Sequence, residues 1–145
     1  MTTKPSNPKD VLGCKKPSLS AIPCPVLFEL GAVMISGTKY GRHNYRVVGV
    51  RASVYYDAAM RHIMAYWEGE DTDPESGLPH LAHAIACLVI LRDADINDKL
   101  TDDRPPRPDR NWKEDAQLEF DRVLKNLADK ALPPYTQIGI ELDAD

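Results

Sequence analysis

The chain has 145 residues, 28% charged and 43% hydrophobic, with a net charge of −4; that length suits one domain burying roughly two-thirds of its unfolded surface. Charges of both signs with an acidic balance exclude a general nucleic-acid binder resting on a basic face, so no nucleic-acid polymer is expected as a partner. The longest uninterrupted apolar run, 84–91, falls far short of the ~20 residues of a membrane span, so no membrane partner is expected either.

Residues 1–25 read as an extended N-terminal arm, because Pro5, Pro8, Pro17, Pro23 and Pro25 interrupt it. Its polar first ten residues predict no secretory signal. Cys14, Cys24 and Cys87, odd in number and widely spaced, fit a reduced, cytoplasmic setting better than a disulfide framework or a zinc site. A first helix is predicted over 26–36, with Val26, Leu27, Leu30, Val33 and Met34 at helical spacing, Pro25 in its first turn and Gly37 at its stop. Glu29 is an isolated acid within it, exposed or part of a site.

Residues 38–51 read as a loop, with 45–50 able to extend. The run Lys39-Tyr40-Gly41-Arg42-His43-Asn44-Tyr45-Arg46 offers what a nucleotide pocket needs: cations for phosphate, aromatics for stacking and an amide for a base edge. A protein contact is the other reading of such a loop. Ser53 is the predicted N-cap of a second helix reaching Trp67, and Gly69 ends it. Asp57 and Arg61, four apart, make an ordinary ion pair. Together with Glu68 and Asp71 they also lie roughly along one side of that helix, where a phosphate-bearing ligand would meet both metal and arginine.

The junction that follows is the densest chemistry in the chain. Glu68, Glu70, Asp71, Asp73 and Glu75, with His80 and His83 just behind, would repel one another unless a cation gathers them. Oxygen donors suit Mg2+, with Mn2+ possible, and both ions also bind phosphate oxygens. The metal set read from the sequence is Glu68, Glu70, Asp71, Asp73 and Asp57. His80 and His83 are ligands, groups that orient carboxylates, or hydrogen-bond donors to substrate. Ser76 is expected to cap a third helix from about 78 to 93, with Pro79 in its first turn. This helix is apolar nearly all round, so it is the centre of a bundle or a seam between copies, most simply in a homodimer or homotetramer.

Residues 26–100 thus form a helical catalytic core. A Pro-rich linker follows over 101–111, then a C-terminal helix over 112–134 carrying Leu118, Phe120, Val123, Leu124 and Leu127, then an acidic tail over 135–145. Strands are at most a minor component, and the fold class is all-α with four main helices.

Asn7-Pro8-Lys9-Asp10, Lys39-Tyr40-Gly41 with Asn44 and Arg46, Tyr56-Asp57 with Arg61-His62, Trp67-Glu68-Gly69-Glu70-Asp71 with Asp73, and Glu75-Ser76-Gly77-Leu78-Pro79-His80-Leu81-Ala82-His83-Ala84 resemble, over about residues 6–104, the phage and prophage dATP/dGTP diphosphohydrolases. The resemblance implies a four-helix MazG-like bundle and a metal-dependent reaction in which a dNTP and water yield dNMP and pyrophosphate. It also implies a place in phage nucleotide metabolism in the host cytoplasm. The wider MazG-like group carries Glu-x-x-Glu on one helix and Glu-x-x-Asp on the next. Here His80-Leu81-Ala82-His83 stands where the second motif would fall, and Glu68 with Asp71 is an acid pair in a displaced place.

The reading that follows is a hydrolase acting on purine deoxynucleoside triphosphates. Glu68, Glu70, His80 and His83 are its catalytic candidates, and Lys39, Tyr40, Asn44, Arg46, Arg61 and Trp67 its nucleotide-binding candidates. A histidine-and-aspartate phosphohydrolase using His62, His80, His83 and Asp93 is an alternative within enzymes. An accessory protein that binds nucleotide or a host protein without turnover is the alternative from another class.

Overall fold

The computed structural model describes residues 7–138; Ser6 of the arm and the acidic end from 139 onward lie outside the described residues. The chain divides into two compact units, Met1–Arg104 and Pro105–Asp145, with the boundary inside the stretch read as a linker. Among the described residues the fold is all-α, with one two-stranded pairing.

In the first unit, α1 (Pro8–Gly13), α2 (Cys24–Ser36), a 3-10 turn (Gly37–Tyr40), α3 (Tyr45–Val48), β1 (Val50–Arg51), α4 (Ala52–Trp67), α5 (His80–Ile96) and β2 (Leu100–Thr101) follow in order. The arm is therefore not wholly extended. Asn7 Oδ1 accepts from Lys9 N at 2.9 Å and Pro8 takes the first helical position, a local start signal that outweighs the proline count. The predicted loop over 38–51 likewise condenses into the 3-10 turn and α3.

Helix α4 begins at Ala52 rather than after Ser53, because its cap comes from elsewhere in the chain. Asp103 accepts from Ser53 N at 2.8 Å and from Ser53 Oγ at 2.6 Å, placing a carboxylate at the positive end of the helix. Its far end closes in a Schellman motif: Glu70 N donates to Ala65 O and Gly69 N to Tyr66 O, each at 3.0 Å, with Gly69 at φ +94°. The same motif recurs at the end of α5. Lys99 N donates to Ala94 O at 2.8 Å and Asp98 N to Asp95 O at 3.3 Å, with Asp98 at φ +56°. That reversal sends β2 back beside β1 in parallel, pairing Val50 with Leu100 and Arg51 with Thr101.

Helix α5 packs on α4, α2 and α3, and its buried positions are small: Ala82, Ala84, Ala86 and Ala94, with His80. Short side chains let neighbouring backbones approach closely. One apolar cluster joins Val33, Ala82 and Ala86 with Leu30, Met34 and Leu78. A second joins Tyr45, Val50 and Ala94 with Met34, Tyr55, Ile90 and Leu100, so Met34 links the two. Leu88 and Val89 of the same helix lie outward, 50% and 39% exposed.

In the second unit, α6 (Trp112–Leu127) stops short of the expected 134. The chain turns after it, Lys130 N and Ala131 N both donating to Leu127 O, before Pro133 disfavours helical backbone at Leu132.

Candidate active site

The site is built on the α4–α5 hairpin and the turn that joins its helices. Asp-Pro-Glu-Ser-Gly is a turn sequence, and backbone hydrogen bonds hold it. Asp73 N donates to Leu78 O, Gly77 N to Asp73 O and His80 N to Asp71 O, at 2.9, 2.8 and 2.9 Å. Gly77 sits at φ +71°, where a side chain would be strained.

Within this frame Asp73 Oδ2 accepts from Ser76 N at 2.9 Å and Ser76 Oγ at 2.7 Å. These bonds, more than the nearby imidazoles, hold the Asp73 carboxyl below the usual carboxylate range. The Ser76 hydroxyl has one proton and gives it to Asp73. The 2.7 Å contact between Ser76 Oγ and His83 Nε2 is therefore donated by the imidazole, which places the His83 proton on Nε2. His83 then stacks on His62, with ring centroids 4.7 Å apart.

His62 Nδ1 meets His80 Nδ1 at 2.8 Å, and His80 is 5% exposed. Burial, and after it the charges of His83 and His80, push His62 below its ordinary value, which favours the neutral, lone-pair-donating imidazole. His80 Nε2 is buried without a hydrogen-bond partner; Glu70 Oε2 is the neighbouring acid, at 3.5 Å. If His80 Nδ1 accepts from His62, its own proton sits on Nε2, 3.5 Å from Glu70 Oε2 and without a hydrogen bond among the described residues. If it donates, Nε2 is a bare lone pair. Neither tautomer gives Nε2 a hydrogen bond among the described residues.

Among the described residues, one group of three metal-ligating side chains converges: His62, Asp73 and His80, whose ligand atoms lie within 4.8 Å of one another. A divalent cation would fit this donor set of two imidazoles and one carboxylate, whose charge it would compensate. Of the predicted oxygen set, Asp73 belongs to the group and Glu70 borders it. Glu68, Asp71 and Asp57 are exposed and outside it. His62 enters from the opposite helix, 18 positions from His80. The sequence carries its pairing only as two antiparallel helices flanking one loop.

The cationic loop divides in two. Lys39 Nζ lies 4.0 Å from Glu75 Oε1 and 5.2 Å from the Tyr40 ring centroid, so it reaches the hairpin turn. Arg46 makes a two-pronged contact with Asp93 at 2.7 and 2.6 Å. Asp93 and His80 stand thirteen positions apart on α5, about 20 Å of helix at 1.5 Å per residue, so this arginine fastens the loop far from the histidines. Asp93 is accordingly engaged there and not with the histidine cluster. Asn44 is half-buried at the start of α3. Arg61 forms no ion pair among the described residues, Asp57 included, and its charge reaches His62 and Cys87. Trp67 is 82% exposed at the end of α4.

An all-α unit whose helical hairpin closes on a histidine–carboxylate cluster is thus the class of protein that fold and site define. The chain belongs to the family described as dATP/dGTP diphosphohydrolase, N-terminal, whose sequence model matches residues 6–104. It is 34% identical over 85 residues to the dATP/dGTP diphosphohydrolase of Salmonella phage PMBT28, covering 58% of this chain and 27% of that relative. The chain thus corresponds to a minor part of that relative's length. No solved structure matches it. Among the described residues no helix is long and apolar enough to cross a membrane.

Proposed function

We propose that this chain acts in a metal-dependent diphosphohydrolase that cleaves purine deoxynucleoside triphosphates, dATP or dGTP, to dNMP and pyrophosphate in the cytoplasm of a phage-infected or prophage-bearing cell. The observation that carries the reading is the convergence of His62, Asp73 and His80 inside the segment matched by the family.

A divalent cation, Mg2+ or Mn2+, held by His62, Asp73 and His80 supplies a Lewis acid for phosphate oxygens. Glu70, half exposed beside His80, takes the proton from the water that attacks the α-phosphorus, and the bond to the β-phosphate oxygen breaks. Lys39 and Arg61 neutralise the departing pyrophosphate. Tyr40 and Trp67 stack on the base, and Asn44 reads its edge. Glu68, Asp71 and Asp57 line the approach, and His83 holds the Ser76–Asp73 arrangement. A second copy of the chain covers the outward Leu88 flank of α5, giving a homodimer or homotetramer, which light scattering tests against a monomer mass.

The test is pyrophosphate release from a panel of NTPs and dNTPs, with divalent cation, with chelator and with Glu70→Gln. The expected result is purine-deoxynucleotide selectivity, loss with chelator and a fall of about 10²-fold or more in the variant. A folded protein inactive on every nucleotide overturns the reading in favour of an accessory binding role.

A further inference from the structure

We propose that His62, Asp73 and His80 form a two-nitrogen, one-oxygen site for a first-row transition ion, which binds Mn2+, Co2+ or Zn2+ in preference to Mg2+. The inference rests on the reading of this cluster as the metal centre of a hydrolase for its function, but not for its metal preference.

Three observations carry it. The donor set is mixed: two of the three converging side chains are imidazoles, whereas magnesium is bound by oxygen and dehydrates reluctantly. His80 Nε2 makes no hydrogen bond among the described residues, although its side chain is only 6% exposed and Glu70 Oε2 lies 3.5 Å away. Finally, the outer contacts are those that orient ligands. Ser76 bonds Asp73 at 2.7 Å and His83 Nε2 at 2.7 Å, and His83 stacks on His62, an arrangement that fixes ring and carboxylate directions. Three protein donors leave positions open for water and phosphate oxygens, as catalytic metal sites do.

The site and its outer contact His83 together use three of the four histidines. His43, whose Nδ1 lies 3.3 Å from the Tyr45 hydroxyl, is the control.

The experiment strips the protein with chelator and titrates it with Co2+ and with Mg2+, reading the visible d–d absorption of cobalt and the heat of binding. Expected are a nitrogen-ligated cobalt spectrum, affinity for Co2+ at least about tenfold above that for Mg2+, and loss of both in His80→Ala, His62→Ala and Asp73→Asn. His43→Ala leaves the spectrum intact, and Ser76→Ala weakens binding about 10- to 100-fold. Far-UV circular dichroism checks the fold of each variant. Should His80→Ala unfold, the wild-type spectrum with His62→Ala and Asp73→Asn decides. Equal affinity for the two ions, or a cobalt spectrum unchanged in those two variants, overturns the inference. Magnesium-supported pyrophosphate release without a cobalt spectrum overturns this inference alone, whereas a cobalt spectrum without pyrophosphate release overturns the hydrolase reading alone.

Discussion

Asp98 shows how one residue carries a local cost for a fold-level turn. At φ +56° it fills the position past α5 that glycine takes most cheaply. Asp98→Gly is therefore expected to raise stability by about 0.5–1 kcal/mol, read as a shift in the denaturation midpoint at constant m-value. A midpoint shifted downward would show that the aspartate makes a compensating contact. His80 is the opposite case, a buried group whose Nε2 makes no hydrogen bond among the described residues. Its position after a turn and before an apolar helix was legible in the sequence, as was the place of Asp73 in that turn. The partnership with His62 was not, because only the crossing of α4 and α5 sets which rungs of the two helices face each other.

At the scale of elements, the strand pair depends on a close approach at Gly49. Its φ is +78°, and a Cβ there would stand 2.7 Å from the Lys99 carbonyl oxygen, while Val50 N donates to that same oxygen at 2.9 Å. Gly49→Ala is expected to cost about 1–3 kcal/mol, measured by thermal or chemical denaturation; a loss within about 0.5 kcal/mol would mean the joint can shift freely. The three long helices of the first unit were readable from periodicity, whereas α1 and α3 were not, and α2 and α4 fall within a residue or two of expectation. What periodicity could not show was which face of α5 is inward. That helix is apolar on all sides, and the choice of its alanines over Leu88 and Val89 is made by the close packing of α2 and α4. Ser53 and Ser76 were each read as caps from local sequence. In the fold one binds Asp103 and the other ties Asp73 to His83, so tertiary partners redirect both hydroxyls.

Across the first unit as a whole, the Arg46–Asp93 pair fastens the 3-10 turn and α3 to the end of α5. Hydrogen bonding from Arg46 holds the Asp93 carboxyl below its ordinary value. A carboxylate depressed in the folded state adds stability above its unfolded value of about 3.9, and that contribution is lost as pH falls through the folded value. Arg46→Gln is therefore expected to melt below the wild type at pH 7, with the gap closing below about pH 4. A gap that persists in acid would assign the loss to packing instead. The expected effect on nucleotide turnover is small, because this arginine sits far along α5 from the histidine cluster.

By itself the sequence determined the all-α class, the positions of the principal helices and the loop in which the chemistry collects. Helical periodicity, glycine stops and the charge of a short acidic segment are all local properties. Only the tertiary structure decided which donors meet. Repulsion among neighbouring acids is a local property, but which side chains converge depends on the antiparallel crossing of α4 and α5. That crossing brings His62 to His80 and Asp73, and leaves Glu68, Asp71 and Asp57 facing solvent.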